Sequence, residues 1–454
     1  MNDRYEAIIC GAGIAGVAAA YGLAQLGVTK ILLVDRDAPL SLTSDKSTEC
    51  YRNWWPSHDN AMASLMNRSI DLMEMHARQT NNCFQLNRRG YLFATADPSM
   101  VPKFQAQAER AEKLGVGAFR RIIDSELYQP VTDDGFDSKV DGADLITDRA
   151  LINRYFPYLN SETKAVLHAR RCGFLSAQQM GMYLLDRCRE QGVEFYSAEF
   201  LGAETSAGRI SAVRLLHKGA ERRILCGAMV LSTGPYLKAS GALLGANIPV
   251  IVERHVKITL PDHLGIIPRS APLMIWSDSI DLPWSDKEKS LLLESPETQY
   301  LIETFRAGVH GRPTGNGNQV IMYWTFNCES EEEPLFPLDW DPYLPEITLR
   351  GMAVMVPGLE QYLHHMPKPY VDGGYYTKTR ENRPLIGPLE IEGAFVCGAF
   401  SGYGIMAACG SGELLAKHVT GDRLPSYAST FMPARYDNPD YHTLLNNMGL
   451  DGQL

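Results

Sequence analysis

The sequence predicts an α/β protein: a parallel-sheet domain, discontinuous along the chain, with a β-rich domain inserted into it. Three observations predict this. The opening residues read as strand, glycine turn, helix and strand: an apolar run at 7–10, then Gly11-Ala12-Gly13-Ile14-Ala15-Gly16, an Ala/Leu-rich stretch at 17–26, and a second apolar run at 30–35 that ends in Asp35. A second strand-to-helix turn stands near the other end, where residues 395–398 lead through Gly402 into a helical pattern at 407–418. Between them, from Ile248 to Trp324, the pattern changes to short β-rich pieces separated by loops.

The first unit spells G-x-G-x-x-G between a strand and a helix, with an acid 24 residues after Gly11. That context separates a dinucleotide fingerprint from a chance glycine cluster. Gly11 permits the tight turn, Gly13 lets the backbone approach a pyrophosphate, and Gly16 lets helix and strand pack closely. The helix N-terminus, at Ile14 and Ala15, presents unpaired N–H groups to the phosphates. Asp35 accepts from a ribose 2′-OH and repels a 2′-phosphate, with Arg36 beside it at the same site.

The remaining elements follow in order. Residues 58–80 form a helix, with Met62, Leu65, Met66, Ile70, Met73 and Met75 near helical spacing as core filler. Residues 91–93 form a strand, 103–114 a polar helix, and 124–144 are loop-rich. A helix at 176–191, a strand at 192–196 and a hairpin at 210–231 suggest return to the nucleotide sheet. Residues 346–356 form a helix closed by Pro357-Gly358, and 422–454 read as a polar tail with little periodicity.

Composition excludes several function classes. The 454 residues carry a net charge of −10 with no dense Lys/Arg block, which argues against a nucleic-acid partner. Nine cysteines without a C-x-x-C read as reduced thiols in a cytoplasmic protein. Residues 7–28 are apolar but hold five glycines and lack a basic n-region, so neither a signal peptide nor a membrane span is expected. No H-x-E or H-E-x-x-H pattern marks a metal.

Past the second strand lies a polar segment, Thr43-Ser44-Asp45-Lys46-Ser47-Thr48-Glu49-Cys50-Tyr51-Arg52. Further on come Phe84-Gln85-Leu86-Asn87-Arg88-Arg89-Gly90-Tyr91-Leu92-Phe93, then Tyr375-Tyr376-Thr377-Lys378-Thr379-Arg380-Glu381-Asn382-Arg383-Pro384-Leu385-Ile386-Gly387, then Val396-Cys397-Gly398-Ala399-Phe400-Ser401-Gly402-Tyr403-Gly404-Ile405-Met406. With the N-terminal glycine unit, these resemble the D-amino-acid oxidase/sarcosine oxidase superfamily of flavoproteins, in its sarcosine and dimethylglycine branch, from residue 4 to about 420. The resemblance implies a Rossmann-like FAD-binding domain made of residues 1–84, 170–245 and 370–435, a substrate-binding domain made of 85–169 and 246–369, and a tail at 436–454. It implies oxidation of the C–N bond of an amine or amino acid, by hydride transfer to flavin N5, giving an imine.

The same resemblance implies roles for residues. Ser44, Lys46, Ser47 and Thr48 suit pyrophosphate and ribityl oxygens, although a solvated surface loop has the same composition. Phe200 and Gly234 are assigned to the FAD site. Gly402, Gly404, Ile405 and Met406 open a helix whose N–H groups stabilise charge on the reduced flavin. Tyr376 stands where the family has an active-site Tyr. Arg52 stands where the sarcosine branch grips a substrate carboxylate, and a guanidinium suits that bidentate task; a structural ion pair is the competing reading. Trp54, Trp55 and Tyr403 offer aromatic walls for a cationic amine, or core packing.

Departures sharpen these expectations. Gly374 replaces the flavin-linking Cys of covalent members, so FAD is expected to be non-covalent. Met406 replaces a carboxylate-binding Lys, and Tyr403 replaces the His of the G-F-S-G-H-G-F motif. The strand at 319–325 lacks the oxygen-activating Lys, so an electron-acceptor protein is a possible partner, and Lys257 is the remaining candidate cation. His255 and His310 receive no role. The competing readings are an FAD-binding assembly or electron-transfer protein of the same fold and an oxidoreductase of a 2-hydroxy acid. A nicotinamide-dependent disulfide reductase needs a redox Cys pair and a second full fingerprint, and the sequence has neither.

Overall fold

The computed structural model describes residues 3–131 and 135–447. Two large sheets organise it. The first has eight strands, and its central path runs Glu199–Ser206, Arg209–His217, Ala220–Leu231, Arg4–Cys10, Ile31–Asp35, Glu194–Ser197. The pairings of Arg4–Cys10 with both neighbours are parallel, as are those of Ile31–Asp35 with Glu194–Ser197 and of Ala220–Leu231 with Ala394–Gly398. The returns expected from residues 192–196, 210–231 and 395–398 therefore converge on the N-terminal strand. The core strands read as continuous apolar runs because both faces of a parallel sheet are covered.

One cover is a pair of helices, Ile14–Gln25 and Gly404–Thr420. Both are rich in Ala and Gly for a steric reason. A Cβ on Gly412 would overlap the Ala18 carbonyl, and one on Gly22 would meet the Gly412 carbonyl oxygen at 2.5 Å. Helices in backbone contact have no room for larger residues there. Helix Ala61–Gln79 packs beside them through Met62, Leu65, Met66, Ile70 and Met73, whereas Met75 is out of phase with that stripe and exposed.

The second sheet has ten strands, along Ser330–Glu331, Ile251–Pro261, Gln319–Tyr323, His310–Pro313, Leu273–Trp276, Tyr91–Thr95, Ala165–Ala169, Ala143–Ile146 and Phe119–Ile122. Tyr370–Lys378 pairs antiparallel with Ile251–Pro261 over nine residue pairs and so belongs to this sheet, although it stands next in sequence to the final glycine turn. Helix Leu344–Met355 covers the second core.

The segment expected to be a polar tail is packed as far as residue 447, and residues 448–454 lie outside the described residues. It forms short turns at Ala428–Phe431 and Pro433–Asp437, then helix Pro439–Asn447. Arg435 is buried against Glu381 at 2.7 Å, and the hydroxyls of Tyr436 and Tyr441 donate to the same carboxylate oxygen. Short 3₁₀ turns bury residues without the 3.6-residue period that reveals a helix.

Candidate active site

A cleft runs along the C-terminal ends of the first sheet's parallel strands, where open α/β sheets bind ligands. It comprises three cavities that share walls. The first, about 230 Å³, lies between Gly11, Gly13, Asp35, Arg36, Phe200, Ser232, Thr233 and Gly234. The second shares Gly13, Ser44, Ser232 and Gly234 with it and continues past Ile14, Ala15, Ser47 and Tyr376 to Gly402, Gly404 and Ile405. The third shares Tyr376, Ser401 and Gly402 with the second and is walled by Thr48, Arg52, Tyr91, His310, Tyr323, Asn382, Tyr403 and Met406.

The glycines make the first part possible. Gly11 has φ +106°, and a Cβ there would overlap the Ser232 carbonyl. A Cβ on Gly16 would overlap the Gly11 carbonyl, so Gly16 serves packing and stays off the cleft wall. At Gly13 a Cβ would meet only the Ser44 hydroxyl, at 3.3 Å. That hydroxyl accepts from the Ile14 N–H at 2.9 Å, which places it at the helix N-terminus. Asp35 accepts from the N–H groups of Ala12, at 2.7 Å, and Asp37, at 3.0 Å. Burial raises the Asp35 carboxyl, and these bonds oppose the rise. The Arg36 guanidinium lies 4.4 Å over the Tyr236 ring and reaches Glu199 at 3.9 Å.

These features fit FAD. The hydroxyls of Ser232 and Thr233 are buried on the cleft wall without a hydrogen-bond partner among the described residues. Two unpaired buried hydroxyls in a polar, glycine-lined cleft suit the oxygens of a dinucleotide. In the sequence they mark only the end of a hairpin.

At the far end the strand-to-helix turn is strained, with Ala399 and Ser401 at φ +59° and +46°. A Cβ on Gly402 would overlap the Tyr376 ring, so the glycine is there because the tyrosine lies against it. Tyr376 stacks on His255 with centroids 3.7 Å apart at 19°. Burial pushes its hydroxyl above the usual tyrosine range. Arg52 is buried, its guanidinium 4.5 Å over Trp55 and 5.9 Å from the Tyr91 ring. Tyr403 donates to the Asn382 carbonyl at 2.8 Å and meets Trp55 edge-on.

Several expected residues sit elsewhere than foreseen. Lys46 turns from the cleft to Asp45, at 2.7 Å, and Asp372, at 3.5 Å; two carboxylates hold the cation that phosphate was expected to hold. Trp55 backs Arg52 instead of lining a cavity. Met406 and Thr48 face the third cavity, with Arg52, and not the second. Lys257 is buried against Asp372, at 3.2 Å, and the Lys46 carbonyl, at 2.8 Å. Gly374 packs on the 43–46 loop, 3.3 Å from the Thr43 Cα by its missing Cβ.

Reasoning from sequence missed His310, Tyr323 and Asn382. His310 donates from Nδ1 to the Gly308 carbonyl at 2.9 Å if its neutral form is the Nδ1–H tautomer, as a carbonyl acceptor requires. Burial lowers its imidazole to about 4; the Gly308 bond opposes that and the Arg52 charge adds to it. The alternation of residues along a strand signals which side chains share a face, but not that the face meets a cavity. Among the described residues, no three His, Cys, Asp or Glu side chains are grouped to hold a metal, and no helix is long and apolar enough to cross a membrane.

Comparison with known proteins agrees with this geometry. The chain is 22% identical to the mitochondrial dimethylglycine dehydrogenase of Rattus norvegicus, over 96% of this chain and 45% of that protein, so it spans about half the length of that relative. Its fold is that of L-proline dehydrogenase from P. horikoshii, with a TM-score of 0.73 at 20% identity over 96% of this chain and 99% of that one. Glycine oxidase from Geobacillus kaustophilus superposes with a TM-score of 0.71 at 15% identity, over 94% of this chain and 98% of that one. The model of the FAD dependent oxidoreductase family, DAO, matches residues 6–418, and the chain belongs to that family.

Proposed function

We propose that the protein oxidises the C–N bond of a carboxylated amine or amino acid, with non-covalently held FAD as the first electron acceptor. One observation carries this reading: the buried Arg52 guanidinium stands on the wall of a cavity that opens, past Tyr376 and Gly402, from the far end of the dinucleotide cleft. Arg52 anchors the substrate carboxylate, and Tyr376, Tyr403 and Met406 enclose the rest. Asp35 and the backbone from Gly11 to Ala15 hold the nucleotide, with Ser44, Ser47, Ser232 and Thr233 along the phosphates and ribityl chain. FAD supplies the acceptor for the hydride that leaves the substrate carbon. The onward acceptor is a carrier rather than oxygen, because Lys257 is committed to Asp372 and no Lys stands in Gln319–Tyr323.

The test is anaerobic titration of the yellow holoprotein with glycine, N,N-dimethylglycine, L-proline, iminodiacetate, their amides and the matching 2-hydroxy acids. At least one carboxylated amine should bleach the flavin, and its amide should not. Bleaching by hydroxy acids alone would replace this reading, and bleaching by dithionite alone would favour a non-catalytic FAD protein. Acid precipitation should leave the colour in the supernatant. Rapid reoxidation in air would refute the proposed acceptor.

A further inference from the structure

We infer that Tyr323, His255 and Glu253 form a proton-accepting line on the wall of the Arg52 cavity, which takes the ammonium proton of a bound amine; the inference rests on the amine-oxidation reading above. The three side chains come from neighbouring strands of the second sheet, Gln319–Tyr323 and Ile251–Pro261. Tyr323 lines the cavity with Arg52. Its hydroxyl hydrogen-bonds to His255 Nδ1, and it is also hydrogen-bonded to Tyr376. On the other side of the imidazole, Nε2 lies 3.3 Å from Glu253 Oε2. Lys378 holds the same carboxylate at 2.9 Å.

The tautomer follows from chemistry. Burial works against ionisation of Glu253, but the bonds from His255 and Lys378 outweigh it and bring its carboxyl down to about 2. An ionised carboxylate only accepts, so Nε2 carries the hydrogen and Nδ1 is left to accept from Tyr323. A hydroxyl, an imidazole and a carboxylate in that order are a general-base arrangement, the carboxylate fixing the ring and stabilising its protonated form.

The step balances as proton transfer alone. The ammonium N–H bond breaks as an O–H bond forms at Tyr323, while the original Tyr323 proton passes to His255 Nδ1. The products are a neutral amine, whose lone pair can form the imine, and an imidazolium beside Glu253. Other groups facing His255 set its pH range. Arg306 and Lys378 disfavour its protonation, Glu253 favours it, the Cys328 sulfur lies 3.4 Å from Nδ1, and Tyr376 covers one face. His310 does not suit the task, since the neighbouring Arg52 charge opposes its protonation.

The experiment measures kcat/KM against pH for the holoenzyme and its Tyr323→Phe, His255→Gln and Glu253→Gln variants, with whichever amine of the panel reduces the wild type. Flavin content, reduction by dithionite and the Kd of propionate, a carboxylate without an amine, report an intact site. Tyr323→Phe and His255→Gln should lose about 100-fold at neutral pH, the low end of general-base contributions. They should regain rate as the pH approaches the amine's own pKa, where solvent has already removed the proton. Glu253→Gln should move the acid limb to lower pH, because the imidazolium loses its carboxylate. Profiles parallel to wild type in variants with normal flavin content and propionate affinity would overturn the inference and leave the amine reading standing. A wild type that no amine reduces would overturn both.

Discussion

The two ends of the cleft are built in opposite ways. At the nucleotide end the wall is mostly backbone: Gly11, Gly13, the helix N-terminus at Ile14 and the Ser232–Gly234 turn lie at positions where a side chain would collide or stand in the way. At the Arg52 end the wall is side chains, among them Arg52, Tyr91, His310, Tyr323, Tyr376, Asn382 and Met406, carried by segments far apart in sequence. The first end discriminates by shape and by N–H donors that every dinucleotide meets alike. The second discriminates by charge and proton chemistry, which single side chains can change. Added atoms should therefore break the first, and removed charges the second.

The largest effect is expected where added atoms meet backbone. In Gly16→Ala the new Cβ overlaps the Gly11 carbonyl, within the turn that joins the first strand to its helix. The backbone must move, at a cost above about 4 kcal/mol, and little soluble protein should be recovered. Gly13→Val should differ in kind. Its Cβ meets only the Ser44 hydroxyl, at 3.3 Å, so the protein should fold, with a wild-type circular dichroism spectrum, yet be colourless. A yellow Gly13→Val protein would remove the claim that backbone approach holds the nucleotide.

Next comes the clamp beneath the substrate end. Arg435 and Glu381 are both buried, and Glu381 directly precedes Asn382 on the cavity wall. Arg435→Met leaves a buried carboxylate without its cation, a loss of about 3 kcal/mol or more. The denaturant midpoint should fall and KM should rise, with flavin content unchanged. Flavin loss in step with KM would show that the two ends are not mechanically separate.

That clamp also marks how far the sequence could be read. The nucleotide end was legible because its parts lie within 24 residues and each glycine answers a local need. The paired sheets followed from apolar runs and their order. Tyr376 and Arg52 were found through family motifs. His310 and Tyr323 were not, because they meet only through the pairing of two strands, where His310 lies opposite Tyr323. The Arg435–Glu381 pair was hidden because its turns have no period, and charged residues in such a stretch read as solvated. Lys46 shows the converse: a cation in the right loop was assigned to phosphate, while its carboxylate partner Asp372 lay 326 residues away.

A smaller loss is expected at Arg52. A charge-assisted hydrogen bond contributes roughly 1.5–3 kcal/mol, so Arg52→Ala should lower kcat/KM for a carboxylated amine by about 10- to 150-fold. The matching amide should suffer far less. Equal losses on both, with normal flavin content, would make Arg52 a packing residue that stacks on Trp55.

The smallest effect should be at Lys46, and it is the sharpest test of the contrast. If cations hold the nucleotide, Lys46→Met must weaken FAD strongly, since the loop carrying it also carries Ser44 and Ser47 on the cleft wall. If backbone and hydroxyls hold it, the variant loses only the pairings with Asp45 and Asp372. Partly exposed pairs of this kind are worth about 0–1 kcal/mol, so the Kd for FAD should rise by no more than about fivefold. The Lys46 carbonyl still accepts from Lys257 at 2.8 Å and Thr43 still donates to the Tyr375 carbonyl at 3.1 Å, which keeps the loop in place when the side chain changes. A rise in Kd of about 100-fold, equivalent to some 2.7 kcal/mol, would mean that Lys46 leaves its carboxylates for the phosphates when FAD binds. The nucleotide end would then depend on charge as the substrate end does.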